Sequence, residues 1–217
     1  ATRVLERAGY TVALAPIVED GRPFISQGLL KQAQKIAKRN LPFLQSIARE
    51  GTPLIGLEPS ALLTFRDEYR DFFPEEPSYQ TIADLCVTID EFIVSKVKGE
   101  DVGPLFHQDL PSRHFLVHTH CFEKALGSSQ TTLAMLHLIP SVSAELIKAG
   151  CCGMAGSFGY HKDHYQMSVE IAEQTLFPAI RQRGESQVLV NGTSCRHQIR
   201  DGLQYKAKHP IEILAEA

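Results

Sequence analysis

The side chains best suited to metal or redox chemistry in this sequence are thiols, and four of the five cysteines lie in its second half. Two are adjacent and precede a glycine, as Cys151-Cys152-Gly153. Cys121 lies upstream of this pair and Cys195 lies downstream, each beside a predicted strand end. Four cysteines are the usual ligands of an iron–sulfur cluster and also of structural zinc. The pattern therefore predicts one shared metal site, and the thiols alone do not decide between iron and zinc.

The fifth thiol, Cys86, is interpreted as a small buried hydrophobic residue. It falls between Leu85 and Val87 in a predicted helix and has no partner at useful spacing. Free cysteines commonly have this role. An odd number of cysteines without a secretory signal also favours metal or redox chemistry over a disulfide framework for the other four.

Histidines near the cysteines are candidates for a supporting role. His118 and His120 alternate along the predicted strand before Cys121, so their side chains share one face and are expected to point toward the site. His197 follows Cys195 in the next predicted helix. A histidine beside a cleft more often hydrogen-bonds locally than binds a metal. These three are therefore predicted to surround the thiols as possible partners of the ligands.

The elements that must position these residues alternate between strand and helix. Strands are predicted at 11–16, 53–57, 115–118, 142–147 and 187–190. Helices are predicted at 28–49, with a kink or restart at Pro42, at 79–98, at 161–183 and from Gly192 onward as the last helix. This alternation predicts parallel sheets built from right-handed βαβ units. The carboxyl ends of such strands share one edge, where the four thiols would meet.

The segments recur in the same order in both halves of the sequence. Glu19-Asp20-Gly21 matches Cys151-Cys152-Gly153, and Ala61 matches Cys195. The predicted fold is therefore α/β, with two pseudo-symmetric Rossmann-like repeats whose parallel sheets face a cleft. Residues 1–105 form the first repeat, which has lost its cysteines, and residues 106–217 form the second, which carries the site.

Composition and motifs exclude several classes of function. The 22 basic and 25 acidic residues are interspersed and give a net charge of −3, so no basic surface for nucleic acid is expected. The glycines from Gly150 to Gly159 match neither dinucleotide nor Walker A patterns, and hydrolase and zinc-protease motifs are absent from the sequence. No apolar run is long enough for a transmembrane segment, and the charged opening residues do not form a signal peptide. We expect a cytoplasmic fragment of a longer polypeptide, at most peripheral to the inner membrane.

The stretches HTHCFEKAL from His118, CCGMAGSFGY from Cys151 and GTSCRHQ from Gly192 resemble the cysteine-rich CCG domain of heterodisulfide reductases and of glycolate oxidase iron–sulfur subunits. Together with EPS from Glu58 and TFRDE from Thr64, they look most similar to the C-terminal end of large FAD-linked oxidases of the D-2-hydroxyglutarate dehydrogenase type. This resemblance covers essentially the whole chain.

The resemblance implies an iron–sulfur cluster of the 4Fe-4S type, with zinc as the alternative, and implies its ligands: Cys121, Cys151, Cys152 and Cys195. Its implied partners are upstream flavin and ferredoxin-like domains of the same polypeptide, with electrons passing from FAD to an unidentified acceptor. The implied substrate is a D-2-hydroxy acid, with D-2-hydroxyglutarate ahead of glycolate and D-lactate. The fragment alone is not expected to turn over substrate.

Two departures from the family pattern bear on the cofactor. Gln198 stands where the last cysteine of the motif would be, which puts a cluster with five thiolates in doubt. Glu19, Asp20 and Ala61 replace the cysteines of the first repeat, so a second cluster is not expected. Two other interpretations stay open: a structural zinc or metal-free docking domain, and a thiol–disulfide site like that of a heterodisulfide reductase.

Overall fold

The protein has an α/β fold, and the computed structural model describes residues 1–17, 19–97 and 111–217. The strands are β1 Leu54–Gly56, β2 Cys86–Thr88, β3 Arg113–His118, β4 Val142–Leu146 and β5 Gln187–Val190. The helices are α1 Thr2–Arg7, α2 Arg22–Ser26, α3 Leu30–Glu50, α4 Pro59–Arg66, α5 Glu68–Phe72, α6 Tyr79–Leu85, α7 Ile89–Val97, α8 Cys121–Leu126, α9 Ser129–Leu136, α10 Tyr165–Gln174, α11 Leu176–Arg181, α12 Thr193–Leu203 and α13 Pro210–Glu216. Single 3₁₀ turns at Phe158–Tyr160 and Lys162–His164 precede α10.

The strands form two parallel sheets, as the alternation of strand and helix predicts. β1 pairs with β2 in the first half of the chain, and the order β4-β3-β5 makes a three-stranded sheet in the second half. The register pairs Val117 with both Leu146 and Leu189, so all three strands of the larger sheet end at one edge. The segments carrying the four predicted ligands leave the sheet from this edge.

The hydrophobic core runs through both halves of the chain. One cluster of buried side chains joins Leu5 and Phe92 of the first half to Phe115 of the central strand β3. A second cluster fills the space beside the larger sheet and includes Cys152 and Cys195 among its members. Burying one large apolar side chain stabilises a fold by about 1.5–3 kcal/mol. The cysteine site is therefore built on a packed apolar base.

The glycines of the two matched turns of the predicted repeat both have positive φ. Gly21 has φ +86° and Gly153 has φ +94°, a region that side chains other than glycine rarely adopt. Each glycine also lies against a helix further along the chain: a Cβ on Gly21 would approach the Ala33 carbonyl of α3 to 3.5 Å, and one on Gly153 would approach the Ser168 carbonyl of α10 to 2.0 Å. Glycine is thus required for the turn in both halves, and at Gly153 also for the packing.

The predicted strand at 11–16 is wrong, because the structure has no strand there. The segment is irregular and mostly exposed, and the Leu14 side chain is 93% exposed. In the described part of the chain, β1 pairs with β2 alone, so this apolar run has no strand to pair with.

The predicted helix at 79–98 is interrupted, and its last residue lies outside the described ranges. Cys86 begins β2 after α6 ends at Leu85, and α7 starts at Ile89. Pairing of Cys86 with Leu54 in the sheet outweighs the helical periodicity of the sequence, as tertiary contacts often do.

The predicted helix at 161–183 is also divided, into the 3₁₀ turn Lys162–His164 and helices α10 and α11. Thr175, between the two α-helices, has φ −147°. Pro178 explains the break, because it lacks the N–H that would bond to the Gln174 carbonyl and its ring crowds that carbonyl.

Two further differences concern α3 and the end of the chain. Helix α3 continues through Pro42 as one element, where a kink or restart was predicted. The helix after Gly192 is not the last, because α13 follows it and begins with a capping box between His209 and Glu212. The predicted boundary between residues 105 and 106 lies outside the described residues. Among the described residues, no helix has both the length and the hydrophobicity needed to cross a membrane.

Candidate metal centre

Three loops at the carboxyl edge of the larger sheet place the four cysteines. Cys121 is the first residue of α8, just after β3. Cys151 and Cys152 lie in the irregular segment after β4. Cys195 lies in the first turn of α12, just after β5. Because parallel strands end at one edge, this topology brings together thiols that are far apart in the sequence.

The four thiols lie next to one another in a row, which we call the thiol row. Cys121 neighbours Cys151, Cys151 neighbours Cys152, and Cys152 neighbours Cys195, and each thiol shifts the pKa of the next. The row continues from Cys195 to the side chain of His118. Cys152 and Cys195 are 3% and 2% exposed, whereas Cys121 and Cys151 are half-buried. The row therefore runs from the protein surface into the interior.

The pKa values along the thiol row alternate in direction. The pKa of Cys151 is lowered, chiefly because the thiols of Cys121 and Cys152 donate hydrogen bonds to it. The pKa of Cys195 is lowered, chiefly by its hydrogen bond with Cys152 and then by His118. The pKa values of Cys121 and Cys152 are raised, first by their bonds to Cys151 and then by the other thiol neighbours and burial. The lowered pKa values of Cys151 and Cys195 are in the direction that favours thiolate, the form of cysteine that binds metals.

Backbone N–H groups point at the sulfurs from the turn after the cysteine pair. The Gly153 N–H donates to Cys151 Sγ at 3.3 Å, and the Ala155 N–H also lowers the pKa of this thiol. The Met154 N–H acts on the Cys152 sulfur in the same direction. Such bonds stabilise negative charge on sulfur and, in iron–sulfur proteins, help to set the reduction potential. The turn therefore supplies polar contacts as well as two ligand candidates.

Gly192 leaves room for the site on the side of α12. A Cβ on this residue would lie 2.5 Å from the His120 ring and 3.3 Å from Cys195 Sγ. Any side chain here would displace one of these two groups. The close approach of the loop to Cys195 therefore requires glycine.

The structure brings two of the three predicted histidines to the thiol row. His118 is 1% exposed and bonds to Cys195, and its Nδ1 has no hydrogen-bond partner among the described residues. His120 caps α8 by accepting from the Phe122 N–H at 3.2 Å, and its Nδ1 lies 3.9 Å from Cys121 Sγ. His197 is held elsewhere, with its Nδ1 2.6 Å from the Tyr160 hydroxyl.

Gln198, at the position of the missing fifth cysteine, serves helix packing. Its side chain is buried and its Nε2 donates to the carbonyl and the hydroxyl of Ser168, at 2.9 and 3.0 Å. Ser168 belongs to α10, so this amide fastens α12 to α10 beside Gly153. Both hydrogens of the Gln198 amide are therefore engaged with Ser168. Among the described residues, the thiol row has four sulfurs and no fifth ligand at this position.

The donor set of four thiols is one that iron–sulfur clusters and structural zinc both use. Within the described ranges, no group of three or more His, Cys, Asp or Glu side chains is arranged so that it could hold one metal ion. Zinc requires its four ligands about 2.0–2.3 Å from one centre. A cluster instead distributes its thiolates over several irons. The four thiols therefore fit a cluster by their number and chemical type.

Sequence reasoning missed a group of charged residues around the site. Glu58 Oε2 accepts from the Thr193 N–H at 2.6 Å, at the start of the helix that carries Cys195. Lys124 Nζ donates to the carbonyls of Ala149 and Gly150, at 2.7 and 3.0 Å. Glu58 and Lys124 both fall in the stretches that carry the family resemblance, which was the available signal for them.

A buried pair of carboxyl groups, Asp90 of α7 and Glu123 of α8, links these two helices. Of the two, only Glu123 falls in a stretch that carries the family resemblance. The Thr132 hydroxyl lies 2.7 Å from Asp90 Oδ2 and 2.8 Å from Glu123 Oε1. Glu123 is also bonded to the Asn191 amide, whose oxygen accepts from the His120 N–H at 2.9 Å. Burial, and then the charge of Asp90, raise the pKa of Glu123 to about 8. A hydroxyl donates only one hydrogen, so a proton kept on Glu123 at neutral pH completes its contact with Thr132.

Comparison with known proteins places the chain beside parts of larger dehydrogenases. It is 27% identical to D-2-hydroxyglutarate dehydrogenase of Escherichia coli K12, over 99% of this chain and 20% of that protein. It is 30% identical to D-2-hydroxyglutarate dehydrogenase of Pseudomonas putida, over 97% of this chain and 20% of that protein. It is 27% identical to a subunit of the anaerobic glycerol-3-phosphate dehydrogenase of Escherichia coli K12, over 91% of this chain and 48% of that polypeptide.

No protein-family profile matches the chain. The chain spans about a fifth of the length of the D-2-hydroxyglutarate dehydrogenases that it matches. The resemblance inferred from the cysteine motifs is nevertheless confirmed, because nearly the whole chain is similar to a part of these dehydrogenases.

Proposed function

We propose that this chain is an iron–sulfur electron-transfer domain of a larger FAD-linked dehydrogenase that oxidises a D-2-hydroxy acid. The thiol row carries this proposal: four sulfurs from three separate loops are gathered in one place. Cysteines that serve only as buried apolar residues do not need to lie together. The names of the relatives, which are dehydrogenases and part of another dehydrogenase, support the same class of function.

The residues proposed to hold the cluster are Cys121, Cys151, Cys152 and Cys195. A bound 4Fe-4S cluster would supply one-electron transfer, which flavins support as donors. Cys151 and Cys195 favour the thiolate form in the metal-free protein, so they are the first candidates to bind iron. The N–H groups of Gly153 and Ala155 would stabilise the bound sulfur of Cys151.

The parent enzyme is proposed by similarity to its relatives. We place D-2-hydroxyglutarate first as its substrate, ahead of glycolate and D-lactate, because two of the relatives described above carry that name. Flavin and ferredoxin-like domains upstream in the same polypeptide would deliver electrons to this domain. The electron acceptor stays unidentified. The division of the chain at residue 105 and the cytoplasmic location stay predictions.

Anaerobic reconstitution tests this proposal. The chain is incubated with ferrous iron and sulfide, desalted, and assayed for iron, sulfide and zinc, with EPR after dithionite reduction. We expect about four irons and four sulfides per chain. Cys121→Ser and Cys195→Ser are expected to lose most of this iron, whereas Cys86→Ser keeps it because Cys86 is fully buried away from the row. Stoichiometric zinc with no iron would support the structural-zinc alternative instead.

A further inference from the structure

The turn that replaces the cysteine pair in the first half contains an arginine that reaches the site of the second half. Gly21 corresponds to Gly153, so Arg22 corresponds to Met154. Met154 is a buried member of the apolar cluster beside the thiol row. The Arg22 side chain leaves the first half instead, and its guanidinium carbon lies 4.7 Å from the centroid of the Phe122 ring. Phe122 directly follows Cys121.

The charge of Arg22 is fixed in place by several contacts. Its guanidinium forms an ion pair with Glu68, and its Nε lies 3.3 Å from Ser26 Oγ. Its backbone N–H donates to Asp20 Oδ1 at 2.6 Å. The side chain is only 16% exposed, so solvent and salt screen its charge weakly. An arginine stays protonated even when partly buried.

We propose that Arg22 raises the reduction potential of the metal centre by holding a positive charge beside Cys121 from the opposite half of the chain. This inference rests on the proposed function, because it requires a cluster in the thiol row. It gives the half that lost its cysteines a function: its turn supplies an electrostatic neighbour for the remaining site.

The physical reason is the charge of the centre. Four thiolates make an iron–sulfur cluster net negative, and reduction adds one more electron. A nearby cation stabilises the reduced form more than the oxidised form, which raises the potential. The pKa of Arg22 is lowered, chiefly by burial. The negative charges of Asp20 and Cys121 oppose this shift, as expected for a cation that lies near both residues.

The ion-pair partner gives a second prediction of opposite sign. Glu68 places a negative charge against the same guanidinium, and its Oε2 has no hydrogen-bond partner among the described residues. Removing that charge in Glu68→Gln leaves Arg22 without its ion-pair partner. The potential should then rise, whereas removal of Arg22 should make it fall.

The test is an EPR-monitored redox titration of the reconstituted 217-residue chain, with dithionite as reductant. The variants are Arg22→Met, Arg22→Lys and Glu68→Gln. Methionine is the residue at the equivalent position of the second half, and lysine keeps the charge. We expect Arg22→Met to lower the equilibrium constant for one-electron reduction about tenfold, which is about 59 mV toward negative potential. Arg22→Lys should stay near the wild type, and Glu68→Gln should shift the other way.

The outcomes separate this inference from the proposed function. Equal potentials in wild type and Arg22→Met, with intact cluster spectra, overturn the role of Arg22 and leave the cluster proposal standing. Equal shifts in Arg22→Met and Arg22→Lys also overturn it, because they show that charge is not the cause. Failure of the wild type to take up iron and sulfide overturns both. Thermal melting of each variant identifies any that is not folded. If Arg22→Met is not folded, the direction of the potential shift in Glu68→Gln tests the inference: a rise supports it, and a fall or no change overturns it.

Discussion

The Glu58 carboxylate of the first half accepts a hydrogen bond of 2.6 Å from the Thr193 N–H at the start of α12. This helix has glycine at its N-cap, and no side chain of its own caps it. The Ser60 hydroxyl, which donates to Glu58 Oε1 at 2.9 Å, holds the carboxylate in place. The first half therefore supplies the cap of the helix that carries Cys195.

Loss of this cap should destabilise the fold. We expect Glu58→Ala to lower the free energy of unfolding by about 1 kcal/mol, the usual value of a helix cap. Glu58→Gln keeps an acceptor oxygen and should lose less. Urea denaturation at constant pH measures both, and the exposed Glu75→Ala serves as the control. An unchanged unfolding midpoint in Glu58→Ala would show that the contact does not hold the halves together.

The turn glycine Gly153 should not tolerate even alanine. Its φ of +94° and the Ser168 carbonyl, which would lie 2.0 Å from an added methyl group, both oppose a side chain. We expect Gly153→Ala to cost at least about 2 kcal/mol of stability and to reduce iron uptake. Gly150→Ala is the matched control, because a Cβ on Gly150 meets nothing within 4 Å. Equal unfolding free energies for the two variants would contradict the packing described here.

The buried Glu123 should make stability depend on pH. Its pKa is raised from 4.5 to about 8 in the folded protein by burial and by Asp90. The folded state therefore keeps a proton that the unfolded state loses, so this contribution is complete below about pH 4.5 and is lost as the pH rises through about 8. The metal-free wild type should thus become less stable across that range, by a few kcal/mol in order of magnitude.

Glu123→Gln isolates this effect. Between about pH 5 and pH 9, the range over which Glu123 loses its proton, the unfolding free energy of the variant should depend less on pH than that of the wild type. Glu6→Gln, at an exposed site of α1, should leave the slope as it is. A Glu123→Gln protein with the wild-type slope would rule out a proton held at this carboxyl.

The cysteines should differ in reactivity toward iodoacetamide. Cys151 is half-buried and has a lowered pKa, whereas Cys86 is fully buried and burial raises its pKa to about 12. In the folded metal-free protein we expect Cys151 to be alkylated first and Cys86 last. Mass spectrometry of the peptides at several times after mixing measures the order, with a urea-unfolded sample as the control. Alkylation of Cys86 at the rate of Cys151 would contradict the burial described here.

Much of the second half could be predicted from the sequence, because its strands are apolar runs followed directly by cysteine loops. The predicted strand at 187–190 has the observed bounds, and the observed β3 and β4 differ from their predicted bounds by two residues at most. The gathering of Cys121 and Cys195 follows from parallel strands alone. This part of the site needed only local patterns and topology.

The first half was less predictable, since long-range contacts decide it. Residues 11–16 are as apolar as a strand but find no partner, and Cys86 leaves a helical pattern to pair with Leu54. The contacts of Arg22 with Phe122 and of Glu58 with Thr193 join residues that no periodicity relates. Electrostatic neighbours of a site are fixed by the packing of the halves, which a single sequence does not display.

The central claim is that the four thiols of the row bind one iron–sulfur cluster. Anaerobic crystals of the reconstituted chain, measured on both sides of the iron absorption edge, test it directly. The account predicts one anomalous peak of several irons, bonded to the sulfurs of Cys121, Cys151, Cys152 and Cys195. An iron peak elsewhere, a zinc-edge peak at the thiols, or sulfurs with no metal under these conditions would contradict it.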